Sequence, residues 1–104
     1  KSAKKIMIGS HIDTVVTGGK YDGVLGVLGA LEVINTLNDL NIETERPIVI
    51  VNWTNEEGTR FSPPMMSSGV FAGVYSKEWA YNKKDKNNIK FIDDLTKYDL
   101  IGKS

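Results

Sequence analysis

The chain has 104 residues, 40% of them hydrophobic, with 13 basic and 13 acidic side chains and no cysteine. That length fits one globular domain at most, the balanced charge leaves no basic footprint for nucleic acid, and no apolar run approaches the ~18 residues of a membrane span. The lack of cysteine excludes disulfides and thiolate metal sites and agrees with a reducing compartment, so a cytoplasmic location is expected.

The first predicted element is a buried strand over the apolar run Lys5-Ile6-Met7-Ile8-Gly9-Ser10, with the single histidine, His11, at its carboxyl end. Val15 to Gly19 shows no helical period and reads as a loop leading to Asp22. From Gly23 to about Asp39 apolar residues fall at helical spacing, with Asp22 suited to cap the start. The first half of this helix is apolar all round, which predicts burial on several sides, while Glu32, Asn35, Thr36 and Asp39 make the second half amphipathic. Gly23, Gly26 and Gly29 each cost a helix interior up to about 1 kcal/mol relative to alanine. Their repeat is expected to let a strand or loop approach the backbone closely.

Pro47 to Trp53 is a continuous β-branched run, the pattern of a strand buried on both faces of a parallel sheet. Strand, helix and strand together predict the α/β class and a right-handed crossover unit. In such sheets ligands bind beyond the carboxyl ends of the strands, where His11 and the pair Glu56-Glu57 both fall. Further on, Thr59 to Pro64 reads as a loop, Met66 to Tyr75 as a short helix of small residues and Lys83 to Asn88 as a polar surface loop. Ile89 to Leu100 carries Phe91, Ile92, Leu95 and Tyr98 at helical spacing.

His11, Asp22 and Glu57 supply the imidazole nitrogen and carboxylate oxygens that a hydrolytic zinc site uses. In a two-metal site one carboxylate can bridge both ions while another, not a ligand, takes a proton from water, and the adjacent Glu56 and Glu57 can divide such roles. Asp13, two residues beyond His11, is placed to orient the imidazole through its carboxylate. The bland alternatives are a structural histidine, an aspartate that only caps a helix and a solvated acidic pair. The apolar strand before Glu56 weakens the last of these, and a structural α/β module with acidic loops stays open. Gly18-Gly19-Lys20 is followed by Tyr21 where a phosphate loop needs Ser or Thr, and Gly23-x-x-Gly-x-x-Gly lies inside a helix rather than before one. Asn52-Trp53-Thr54 matches a glycosylation acceptor only by chance, and no serine sits in a nucleophile elbow.

The order Gly9-Ser10-His11-Ile12-Asp13-Thr14, then Gly18 to Val27, then Asn55-Glu56-Glu57-Gly58-Thr59-Arg60-Phe61 resembles the two-zinc amidohydrolases of the hydantoinase/carbamoylase group. These include N-carbamoyl-L-amino-acid hydrolases, fungal-type β-ureidopropionase (β-alanine synthase) and allantoate amidohydrolase, relatives of the dinuclear zinc aminoacylases and exopeptidases. The resemblance covers Ile6 to Gly73 and is loose over 74–104. It implies that His11 binds one zinc, Asp22 bridges two, Glu57 binds the other, Glu56 is the general base and Asp13 the partner of His11. It also implies a small ureido-acid substrate, cleaved to amino acid, ammonia and carbon dioxide, and a homodimer. The Asn55 to Phe61 segment and Ser67-Ser68-Gly69-Val70-Phe71 resemble the carbamoylase branch more than the peptidase or aminoacylase branch. The family uses two further histidine ligands and an inserted dimerisation domain, whereas His11 stands alone here. Residues 1–104, opening without methionine and stopping at Gly102-Lys103-Ser104, are therefore expected to be part of a zinc-binding catalytic domain, the βαβ portion of a parallel-sheet zinc-hydrolase fold.

Overall fold

Apolar and β-branched side chains at Ile6–Ser10 and Ile48–Asn52 form strands β1 and β2, which pair in parallel from Ile6↔Ile48 to Ser10↔Asn52. The computed structural model describes residues 4–102, so the chain ends on which the expectation of a longer protein rests lie outside the described residues. Two compact units divide the chain, Lys1–Thr54 and Asn55–Ser104. In the first, helix α1 (Val24–Asp39) connects the strands and packs on both, giving the expected βαβ arrangement. The ladder continues past the strand ends, with the Ile6 amide donating to Pro47 at 2.9 Å and the Trp53 amide to Ser10 at 2.8 Å. Gly9 sits at φ 145°, and a Cβ there would run into the Val51 carbonyl oxygen, so no side chain fits at that point of the pair.

Three expectations for this unit are corrected. Asp22 does not cap α1: the N-cap is Gly23 at φ 70°, with no side-chain cap bond, and it is the Asp22 carbonyl that accepts from Val24 at 2.8 Å. A glycine turning through the left-handed region starts the helix and frees the Asp22 carboxylate for other contacts. The amino-terminal half of α1 is not enclosed either: Ala30 is its buried residue, while Leu25 and Leu28 are 64% and 57% exposed. Nor are the two strands buried: β1 is largely exposed, with Ile6 at 45% and Met7 at 39%, and β2 is half-buried with Asn52 exposed rather than covered on both faces. One helix against two strands covers one face of the pair, which leaves the opposite sides of both layers facing outward. The glycine repeat is explained at two of three positions. A Cβ on Gly23 would lie 2.5 Å from the His11 ring and one on Gly26 2.6 Å from Ser10 Cβ, whereas Gly29 faces open space.

In the second unit helices α2 (Met66–Phe71), α3 (Lys77–Tyr81) and α4 (Phe91–Lys97) gather around Phe61, Met66, Ala80 and Phe91. Phe61 meets Phe91 edge-to-face at 5.1 Å. Helix α2 is shorter than the run Met66 to Tyr75 suggested, because Gly73 turns to φ 77° and the Val74 and Tyr75 amides fold back onto the Gly69 carbonyl. The sequence gives no periodic signal for α3, which the Ser76 hydroxyl starts by accepting from the Trp79 amide at 3.1 Å. Helix α4 forms within the expected Ile89 to Leu100 segment. Among the described residues no helix is long and apolar enough to cross a membrane.

Candidate metal centre

His11 is the first residue beyond β1 and is buried. Its Nδ1 lies 2.9 Å from the backbone carbonyl of Asp13. A carbonyl only accepts, so Nδ1 is the donor of this contact, and in a neutral ring that makes Nε2 the nitrogen able to ligate a metal. The Asp13 carboxylate Oδ1 is 3.6 Å from the same nitrogen. The sequence suggested that the Asp13 carboxylate orients the imidazole; the hydrogen-bonding contact is instead made by its main chain, with the carboxylate farther off and adding negative charge nearby.

Nε2 faces Asp22, whose Oδ1 lies 3.6 Å from it. That separation is too long for a hydrogen bond. It suits two ligands of one ion, since zinc bonds of about 2.0–2.2 Å at a tetrahedral angle set their donor atoms about 3.4 Å apart. The Asp22 carboxylate is half-exposed, on a loop folded by Gly18 donating to Val15 and Asp22 to Gly19. Gly23 completes the fit, because any larger residue there would strike the imidazole. An imidazole and a carboxylate so spaced fit a divalent cation.

Glu56 and Glu57 lie in the second unit, half-buried, on the loop that opens at Asn55. Asn55 is buried at φ 54°, a region asparagine tolerates. The Glu56 carbonyl accepts from the Met65 amide at 2.6 Å, and Gly58 turns through φ 65°. Arg60 donates from Nε to Asp85 Oδ2 at 3.0 Å and also pairs through Nη1 with Asp94. Asp85 is buried and accepts from the Asn87 and Ile89 amides at 2.8 and 3.0 Å. Burial pushes its carboxyl up, but the Ile89 amide, Arg60 and the Asn87 amide outweigh that and hold it below its ordinary value. Hydrogen bonding to Asp85 raises the Arg60 guanidinium in turn.

Sequence reasoning quoted Asn55 and Arg60 only as parts of a motif and gave them no role, passed over Asp85 and Asp94, and treated Lys83 to Asn88 as a polar surface loop. A local signal existed in Asp85-Lys86-Asn87, where an aspartate two residues before an amide is the composition of an Asx turn. The partnership with Arg60, 25 residues away, left no such trace.

The model of Peptidase family M20/M25/M40 matches residues 7–96. An N-carbamoyl-L-amino-acid amidohydrolase of Rhizobium meliloti is 56% identical over 100 residues, covering 96% of this chain and 24% of that protein. Allantoate amidohydrolase of Bacillus subtilis is 38% identical over 84 residues, covering 81% and 20%. The crystal structure of an amidase of the hydantoinase/carbamoylase family from Burkholderia vietnamiensis superposes with a TM-score of 0.95 at 48% identity, over 98% of this chain and 25% of that one. The chain spans about a quarter of the length of these relatives. A family match over most of the chain, on the segments that carry His11, Asp22 and Glu57, means that the chain belongs to peptidase family M20/M25/M40, with the hydantoinase/carbamoylase amidohydrolases as its relatives.

Proposed function

We propose that the protein is a zinc-dependent amidohydrolase that cleaves the ureido bond of N-carbamoyl amino acids, yielding amino acid, ammonia and carbon dioxide with consumption of one water. The observation that carries this reading is the 3.6 Å span between His11 Nε2 and Asp22 Oδ1, with Nδ1 tied to the Asp13 carbonyl. The 56% identity to a carbamoyl-amino-acid amidohydrolase favours that substrate class over allantoate.

His11, Asp22 and Glu57 each offer one ligand atom. In this reading His11, Asp22 and Glu57 would be the residues of this chain that hold zinc. Zinc, when bound, supplies Lewis acidity toward the ureido carbonyl and makes water more acidic. Glu56 takes the proton of the attacking water and returns it to the leaving nitrogen, so its carboxylate must be ionised at the start. Asp13 holds the His11 tautomer through its carbonyl and favours a cation nearby through its charge.

Ammonia release from N-carbamoyl-amino acids, allantoate and a dipeptide, before and after chelation, tests the proposal in the full-length protein. The expected result is turnover of the N-carbamoyl substrate that is abolished by chelator and restored by zinc. Hydrolysis of the dipeptide instead would move the protein to the peptidase branch. Chelator-resistant turnover would remove the metal from the mechanism.

A further inference from the structure

Both polar atoms of the Asn55 side chain engage one backbone unit: Nδ2 donates to the Phe61 carbonyl at 2.6 Å, and Oδ1 accepts from the Phe61 amide at 3.2 Å. This two-point contact copies the pairing of two strands and closes a loop made of Glu56, Glu57, Gly58, Thr59 and Arg60. Its far end is firmly seated, for Phe61 is 3% exposed and packs in the core with Met66, Ala80 and Phe91. The loop is braced again where the Met65 amide donates to Glu56 and where Arg60 pairs with Asp85.

The residue type at 55 is informative. A φ of 54° is easiest for glycine, and 8% exposure suits an apolar side chain. Neither would make the two bonds to Phe61. Aspartate would keep the shape and the acceptor but set an anionic oxygen against the Phe61 carbonyl. Among these, only the amide satisfies the amide and the carbonyl of Phe61 together.

We propose that Asn55 is a positioning residue for hydrolysis, its clasp on Phe61 fixing the direction in which Glu56 and Glu57 present their carboxylates; this rests on the amidohydrolase reading above. A general base displaced by about 1 Å can lose about 100-fold in rate. A residue that orients metal ligands typically changes metal affinity or activity by about 10- to 100-fold when replaced.

The test uses Asn55→Gly, which keeps the backbone angle and removes the clasp, and Asn55→Asp, which keeps the shape and removes the donor. Both are made in the full-length protein. The expected result is a kcat about 10- to 100-fold lower, with KM within about threefold of wild type and weaker zinc binding by calorimetry. Assays run well below the thermal midpoint of each variant. A residue that only staples the fold would lower that midpoint and leave kcat and zinc affinity of the folded enzyme unchanged, and that outcome overturns the inference. Should neither variant fold, Asn55→Ser is read in the same way: a lower kcat with weaker zinc binding supports the role, and unchanged constants overturn it. A wild-type protein that binds no zinc and hydrolyses no amide overturns the amidohydrolase reading and this inference with it. Unchanged constants in variants of an active enzyme overturn the role of Asn55 alone.

Discussion

At the scale of single residues, the two nitrogens of His11 have different neighbours: Nδ1 meets a main-chain carbonyl and Nε2 faces the Asp22 carboxylate. Asp22 is the more instructive case, because the same residue type in the same place could have been a helix cap. Since Gly23 starts α1 without help from the Asp22 side chain, Asp22→Asn is expected to leave the helix content unchanged while lowering zinc stoichiometry. Circular dichroism beside metal analysis checks this, and an unchanged zinc content would return Asp22 to a structural role. Glu56→Gln in the full-length protein is the complementary case. It is expected to keep zinc while lowering turnover by about 10²- to 10⁴-fold, the usual contribution of a general base. Near-normal turnover would exclude Glu56 from proton transfer.

At the scale of elements, α1 contrasts strongly with its sequence. Leu28 is 57% exposed and Ala30 6%. Substitution of Leu28 by Gln is therefore expected to change stability by less than about 0.5 kcal/mol in the 104-residue chain, whereas Ala30→Gln should cost about 1–3 kcal/mol by overpacking against the sheet. Chemical denaturation of both variants measures the difference, and equal losses would mean that the outer face of α1 is covered. The strands were legible as continuous apolar or β-branched runs, and α1 because its apolar period is sustained over 16 residues. Helix α3 was not, since five residues from Lys77 to Tyr81 are too few to establish a period. The start of α1 was misassigned because an Asp before a Gly is a cap signal in local terms, and only the packing of Gly23 on the His11 ring shows why the glycine takes that place. At the candidate site, His11, Asp22, Glu56 and Glu57 stood out as chemistry at element ends. Asn55 and Arg60 did not, because their roles depend on Phe61 and Asp85, and distance in sequence hides such partners.

At the scale of the whole molecule, equal numbers of acidic and basic residues give no net field, so the response to acid depends on particular groups. Asp85 is one, its carboxyl held below its ordinary value by the Ile89 and Asn87 amides and by Arg60 despite burial. The unfolded chain therefore takes up this proton at a higher pH than the folded one. The stabilisation is complete above the ordinary carboxyl value of about 3.9 and is lost as pH falls through the lower folded value. Asp85→Asn is expected to lower the thermal midpoint at neutral pH, with the gap from wild type narrowing below about pH 4; a gap independent of pH would show that the charge is irrelevant. The parallel pairing of β1 and β2 has a consequence of another kind. Their residues run level from Ile6↔Ile48 to Ser10↔Asn52, and a strand advances about 3.3 Å per residue while alternating faces. One residue inserted ahead of Gly9 would carry His11 a step outward and turn it to the opposite side, whereas an insertion between Val15 and Gly19 adds only a fraction of a kcal/mol in closure entropy. The strand is in effect a ruler: the count from Ile6 to His11 sets where the imidazole stands and which way it faces.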